Sequence, residues 1–333
     1  MNNQLNVSLS PHIRGKETTR KLMYGVVIAL IPTVIASVIF FGIGAIITIS
    51  AAVISCVTIE YLVQRYLFKK PATIGDGSAL VTGLLLGLIL PSSIPVYQIV
   101  TGSILAIGVT KLTYGGLGNN IFNPALVGRT FMLISFPTDM TLWPVPKGFA
   151  TGYFDAATGA TPLAVIKDGI NNGLPVSELM DRIPTFFDLL FGNMGGSIGE
   201  VSAIAILIGF AYMLYKRIIT WHIPVAVIGS LVLFTSIFWI INPEIYVGPA
   251  FHVLSGGVLI GAIFMATDYV TSPMIPKSMI IYGCGIGILT AIIRIWGSYP
   301  EGIMFAILIM NAFVPLLNAY IKPKRFGEEV KNG

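Results

Sequence analysis

The feature that most limits what this chain can fold into is a series of ten apolar runs, most of them close to the roughly 20 residues a helix needs to cross a bilayer. They lie at about 22–41, 43–64, 78–90, 95–112, 120–136, 199–215, 221–241, 251–267, 278–296 and 302–320. The third is short for a full crossing. Gly and Pro punctuate the joins, as at Phe41-Gly42, Lys70-Pro71, Asn242-Pro243 and Ser272-Pro273. With 55% hydrophobic and 11% charged residues among 333, the composition is far from soluble usage, where roughly a quarter are charged. Outer-membrane barrel strands alternate over about ten residues, and these runs do not. The expected class is an all-α polytopic membrane protein.

Charge sets the expected orientation. With the N-terminus cytoplasmic, Arg14, Lys16, Arg20, Lys21, Arg65, Lys69, Lys70, Lys111, Lys216, Arg217, Lys277, Lys322, Lys324, Arg325 and Lys331 share one side, against Lys147, Lys167, Arg182 and Arg294 on the other. Such a bias predicts both termini in the cytoplasm. The interval 137–198 then lies outside it. That interval is also acidic, with Asp139, Asp155, Asp168, Glu178, Asp181 and Asp188. The first 21 residues are polar and basic, so no cleavable signal peptide is expected. The net charge of +5 is spread over helix ends, which reads as topology and not as a nucleic-acid surface. No Walker loop or dinucleotide fingerprint occurs, so the chain is not expected to bind NAD itself.

The expected organisation is a cytoplasmic segment 1–21, five helices in 22–136, the loop 137–198, five helices in 199–320 and a cytoplasmic tail 321–333. Gly83 and Gly87 in the third run are echoed by Gly257 and Gly261 in the eighth, and Asn123-Pro124 loosely by Asn311 and Pro315. Five spans is an odd number, so the second copy would be inverted, an arrangement that places transport sites near the midplane. The Gly spacing alone also suits close helix packing.

The one long polar interval holds Asp155-Ala156-Ala157-Thr158-Gly159-Ala160-Thr161-Pro162-Leu163. Thr161 followed by Pro162 reads as an N-cap with Pro at N1, opening a short helix that ends near Gly169. The same hydroxyl, in an uncrowded Gly-Ala backbone, is open to esterification. A phosphate there would sit at a helix N-terminus, where free N–H groups favour negative charge.

Asp155-x-x-Thr158-Gly159-Ala160-Thr161 resembles the flavinylation motif, in which a flavin transferase esterifies FMN to the last Thr; Ser is the usual residue at the Thr158 position. Ser10-Pro11-His12-Ile13-Arg14, the stretch Gly118 to Ala125, the stretch Ala266 to Pro273 and Tyr299-Pro300-Glu301-Gly302 through Asn311 are similar to the RnfD component of Rnf ion-translocating electron-transport complexes. That component is related to the B-type component of the sodium-pumping NADH:quinone reductase. The resemblance covers nearly the whole chain. It implies a bacterial or archaeal cytoplasmic-membrane component that works with other membrane and peripheral subunits and relays electrons between ferredoxin and NAD. It further implies FMN held covalently on Thr161, transport of Na+ or H+, and a second, noncovalent flavin (riboflavin), for which no motif is visible. Such a chain is not catalytic alone. The rival reading is an inverted-repeat channel or transporter for a small solute, with Thr161 an ordinary cap; a third is a scaffold for redox partners.

Ionisable residues inside a membrane are functional candidates. Asp76 and Asp268 flank the third and eighth runs, and with Asn123 and Asn311 they form a candidate ion pathway. Glu60, Lys111 and Arg294 lie near run ends, where snorkelling to the interface is expected. Arg129 lies inside the fifth run. His12, His222 and His252 lack metal spacing and read as interface residues. Trp143, Trp221, Trp239 and Trp296 read as belt anchors, and Cys56 and Cys284 as small buried hydrophobes.

Overall fold

A computed structural model describes residues 18–146, 158–192 and 194–322. Asp155, the termini and the side chain of Thr158 lie outside the described parts. Among the described residues five helices are long and apolar enough to cross a membrane: α1 (Thr19–Phe41), α2 (Ile43–Leu62, prolonged by a π turn Val63–Leu67), α11 (His222–Ile241), α14 (Pro276–Trp296) and α15 (Ile303–Tyr320). Four shorter apolar helices accompany them: α3 (Ser78–Leu88), α4 (Val96–Ser103, prolonged by a π segment Ile104–Leu112), α5 (Pro124–Ser135) and α10 (Ala203–Tyr215). With their π segments counted, all coincide with apolar runs of the sequence to within four residues at either end. Their outward faces carry exposed Ile35, Ile39, Ile54, Leu233 and Ile240, an apolar exterior suited to lipid.

The eighth run is where the structure departs from a simple span. It breaks into α12 (Pro249–Leu254) and α13 (Val258–Ile260), the latter continuing as a π turn, Gly261–Met265. Gly256 adopts φ +68 at the break, a conformation that favours glycine. A broken helix strands carbonyls that lipid cannot satisfy. Arg294 of α14 meets them, donating to His252 O at 2.5 Å and to Ser255 O at 2.9 Å.

The short α3 is handled in a similar way. Asp76 caps its start, accepting from the Ser78 backbone N–H at 2.8 Å and from the Ser78 hydroxyl at 2.6 Å. At its far end the N–H groups of Ile198 and Gly199 donate to Leu90 O and Leu88 O at 3.2 and 2.6 Å. A half-length helix is thus closed at both ends by protein.

The loop segment folds onto one end of the bundle. It contains α6 (Pro137–Thr141), α7 (Pro162–Asn171), α8 (Val176–Met180) and α9 (Phe186–Phe191), with a two-residue antiparallel ladder pairing Trp143 with Gly159 and Pro144 with Thr158. Leu163, Ile166, Val176, Leu179 and Leu189 form a core of their own that packs on Val247 and Phe251. This end is called the loop face. The opposite end, where α1 begins and α15 ends, is the terminal face.

Close approach of α2 and α3 depends on glycine. A Cβ at Gly83 would lie 2.7 Å from the Val53 Cα and 3.0 Å from the Ala52 carbonyl oxygen, and backbone cannot yield as a side chain can. Gly83→Val is therefore expected to destabilise the solubilised protein by about 1–3 kcal/mol. At Gly229 a Cβ meets nothing within 4 Å, so Gly229→Ala should be silent or slightly stabilising in the same thermal-unfolding assay.

Candidate functional site

Thr161 is the N-cap of α7, with φ −65° and ψ 153°, and its hydroxyl accepts from the Ala164 N–H at 3.2 Å. Pro162 stands at N1, and the helix runs to Asn171, two residues past the expected end. Thr161 is 5% exposed. Gly159 and Ala160 lead into it from the ladder, so Gly159 lies opposite Trp143. On the helix's other side, Leu163 packs where Gly256 leaves room for it. Lys167 fastens the helix to the end of α14, donating to the carbonyls of Arg294 at 3.4 Å, Tyr299 at 3.0 Å and Gly297. Burial holds the Lys167 ammonium below the ordinary lysine range, with Asp168 opposing the shift. The folded state then binds fewer protons than the unfolded chain between the two values, so this group adds stability as pH rises through that window.

Beneath the ladder lies a buried charge network. Arg129 of α5 donates to Glu301 at 2.5 Å and to Glu200 at 3.4 Å, and all three are at most 6% exposed. Trp143 lies over the Arg129 guanidinium, 6.0 Å from carbon to ring centre. Two sequence readings are corrected here. Trp143 is 7% exposed and stacks on a cation, so it is no belt anchor. Arg294 does not snorkel; it is 5% exposed, and its guanidinium is committed to the carbonyls of the α12 break.

A second polar cluster occupies the terminal face. Lys111 donates to Glu60 at 2.7 Å and to the Ser78 hydroxyl at 2.6 Å, while Gln64 and Thr73 hydrogen-bond around the Glu60 carboxylate. Lys111 is 2% exposed and Glu60 fully buried. Snorkelling is therefore wrong for both: each finds its opposite charge inside the bundle. A cavity of about 60 Å³ lies beside this pair, lined by Ser78, Lys111, Asn120, Asn123 and Asp268 among others.

Of the four residues proposed for an ion pathway, three converge. Asn123 caps α5, accepting from Ala125 N–H at 3.1 Å and Leu126 N–H at 3.3 Å, and donates to Met265 O at 3.2 Å. With its amide turned to match its neighbours, Asn311 accepts from the Asn123 N–H at 3.1 Å, donates to Thr271 O at 3.3 Å and contacts the Tyr282 hydroxyl at 2.7 Å. Asp268 accepts from the Thr271 hydroxyl at 3.0 Å. Asp76 stands one step removed, reaching the cavity only through Ser78. Among the described residues no group of three or more His, Cys, Asp and Glu could hold a metal ion.

Sequence reasoning missed Glu200, Glu301 as a charge partner, Lys167 and the polar ring around Glu60. The signal was present for the carboxylates: Glu200 lies at the start of the sixth run and Glu301 directly before the tenth, while Arg129 inside the fifth run lacked a partner. Cys56 is buried as expected and Cys284 half-buried. His222 and Trp221 stack at the terminal-face end of α11, and His252 is buried at the α12 break.

The model of the NQR2, RnfD, RnfE family matches residues 6–327. The chain belongs to that family. Among curated relatives, the D-type component of a proton-translocating ferredoxin:NAD(+) oxidoreductase complex from Clostridium ljungdahlii is 43% identical over 98% of this chain and 97% of the relative. The D-type component of a Na(+)-translocating ferredoxin:NAD(+) oxidoreductase complex from Acetobacterium woodii is 42% identical over 98% and 96%. The corresponding component of an ion-translocating oxidoreductase complex from Yersinia pseudotuberculosis is 37% identical over 98% and 99%. Membership and the apolar helices together make this NQR2, RnfD, RnfE family member a multi-pass membrane protein.

Removing one partner of a buried pair leaves the other charged and dry, at a cost of about 3–5 kcal/mol. Lys111→Met is therefore expected to lower the thermal midpoint sharply. The double variant Lys111→Met with Glu60→Gln should recover most of that loss. If the double variant unfolds no later than the single one, the buried pair is not the source of the effect.

Proposed function

We propose that this chain is the membrane flavoprotein component of an ion-translocating ferredoxin:NAD oxidoreductase complex, with FMN esterified through its phosphate to Thr161. The reading rests on one observation above others. The hydroxyl that ends the Thr158-Gly159-Ala160-Thr161 motif caps a ten-residue helix, next to the N–H groups of Leu163 and Ala164. Those residues fit a phosphoester. The N–H groups and the positive end of α7 favour its charge, and Gly159 and Ala160 place no bulky side chain in the motif before it. FMN at this position would supply one- and two-electron transfer. The protein's part is to hold and orient it: Lys167 pins α7 to the bundle, and the ladder sets the motif against Trp143 and Arg129. Because Thr161 is buried, a flavin transferase would have to act before α7 docks or while it is undocked.

In this reading the loop carrying Thr161 is extracytoplasmic and both termini are cytoplasmic, following the basic-residue bias. The halves 22–136 and 199–320 are inverted repeats. The broken α12–α13 segment of the second half and the short, separately capped α3 of the first support that pairing. Asp268, Asn123 and Asn311, with Asp76 behind Ser78, then mark where a cation approaches from the cytoplasmic side. Other Rnf subunits and the flavin transferase are the partners. A second flavin, riboflavin, would be held without a covalent bond.

The test is direct. Chain purified from cells that also express a flavin transferase should keep yellow fluorescence on a denaturing gel, and its Thr161 peptide should be heavier by FMN less water. Thr161→Ala should lose the label and, with it, a cap worth about 1 kcal/mol of helix stability. Thr161→Ser, which keeps the hydroxyl, should remain a substrate. A colourless wild-type chain would sink the redox reading and leave the solute transporter or the scaffold.

A further inference from the structure

Thr161 is buried, yet the helix it caps is lightly fastened to the bundle. Among the described residues, the hydrogen bonds that join α7 to the bundle all leave one atom, Lys167 Nζ, and end on the carbonyls of Arg294, Gly297 and Tyr299. Those carbonyls lie at or just past the C-terminus of α14, where a helix runs out of donors of its own. A cationic side chain suits that end as a donor and against the negative pole of the helix. Lys167 thus serves α14 as a cap while it anchors α7. It sits six residues beyond Thr161, about 9 Å along the helix.

The rest of the packing lets this anchor act alone. Leu163 and Ile166 belong to the loop core with Val247 and Phe251, a cluster separate from the core of the bundle. Leu179 of α8 occupies the space that a Cβ at Gly169 would take, so α7 and α8 are packed as one hairpin. α8 adds a backbone bond to the bundle, from Val176 N–H to Glu244 O at 2.9 Å. Burial disfavours the Lys167 ammonium in its docked position, which weakens the hold of its three bonds. The hairpin therefore has a small polar hold, and its release leaves the bundle core intact.

We propose that Lys167 is the latch on Thr161: with its ammonium on the α14 carbonyls the hydroxyl is enclosed, and when those bonds open α7 lifts and presents the hydroxyl to solvent while the membrane bundle stays folded. Buried groups on weakly held elements meet reagents through such local openings, well before global unfolding. The latch rests on the reading of Thr161 as an ester site for its purpose, since a transferase can then act on a chain already inserted and folded. Its existence depends only on the packing.

The test puts a thiol in place of the hydroxyl. The full chain carrying Thr161→Cys, in detergent, is treated with a maleimide, and modification is read separately on the peptide holding residue 161 and on the peptide holding Cys56, which is fully buried in α2. Modification at 161 is expected to be slow, to become about tenfold faster when Lys167→Met is added, and to be intermediate with Lys167→Gln, which keeps a donor and serves if the Met variant does not fold. Cys56 should stay unmodified throughout. Equal rates at 161 with and without Lys167 overturn the latch. A rise at Cys56 in step with that at 161 overturns it too, because the whole bundle would then be opening. Neither outcome bears on the flavin: a colourless wild-type chain would sink the ester reading and leave the thiol result standing.

Discussion

One buried guanidinium holds the loop face together. Arg129 belongs to α5, Glu200 precedes α10 and Glu301 precedes α15, so two hydrogen bonds join residues 71 and 172 positions apart in sequence. Inside a bilayer none of the three can be left alone, because an uncompensated buried charge costs several kcal/mol. Their pairing therefore dictates that the early and late helices meet. Trp143 over the same cation extends the constraint to the ladder, and the ladder carries the Thr158–Thr161 motif. With Arg294 alongside, two guanidiniums face two carboxylates, and the group is formally neutral. Arg129 thus specifies both which helices pack and where the loop rests.

The same rule explains the irregular helices. A break in a membrane helix survives only where protein satisfies the freed groups. Arg294 does this for the carbonyls of His252 and Ser255, Asp76 for the start of α3, and the 198–199 backbone for its end. In the first half the short α3, and in the second the break between α12 and α13, thus have their freed backbone groups met by side chains or loop. The π segments following α2, α4 and α13 add further irregular backbone beside the same polar clusters.

Much of the helical framework was legible in the sequence, because twenty-residue apolar runs have one solution in lipid. The cap at Thr161 was legible too, since Thr followed by Pro is a local signal independent of tertiary context. What could not be read was pairing. Lys111 and Arg294 sit near run ends, where a long side chain can equally reach water, and only packing reveals that Lys111 turns inward to Glu60 and Arg294 to the α12 carbonyls. Trp143 misled for the same reason: an aromatic near a span end suits a belt, and its cation partner is fourteen residues away on another element. The break at Gly256 was hidden inside an unbroken apolar run, because a glycine in such a run is more often a packing residue than a turn. Asn123 and Asn311 were noticed as a loose echo between the halves, and they touch.

Three elements connect the polar clusters of the two faces. Arg129 and Asn123 lie on α5 and its cap; Gly257, against which the Glu200 carboxylate rests, and Met265, whose carbonyl receives Asn123, bracket the α13 segment; Glu301 and Asn311 lie before and within α15. At 1.5 Å per residue these intervals correspond to roughly 9, 12 and 15 Å. Between them Gly261 packs on Ile303 and Ile307, and Leu86 approaches Gly128, so the interval is filled by apolar side chains. A hydrated ion crossing that layer would have to shed its water against isoleucine, at a cost far above thermal energy. In this packing α5 and α15 join the two faces, each holding a hydrogen-bonded group at both ends, and the α13 segment is held at its Met265 end. A displacement of the Glu200–Arg129–Glu301 network must therefore strain the contacts of Asn123 and Asn311, or else bend one of three short, densely packed segments.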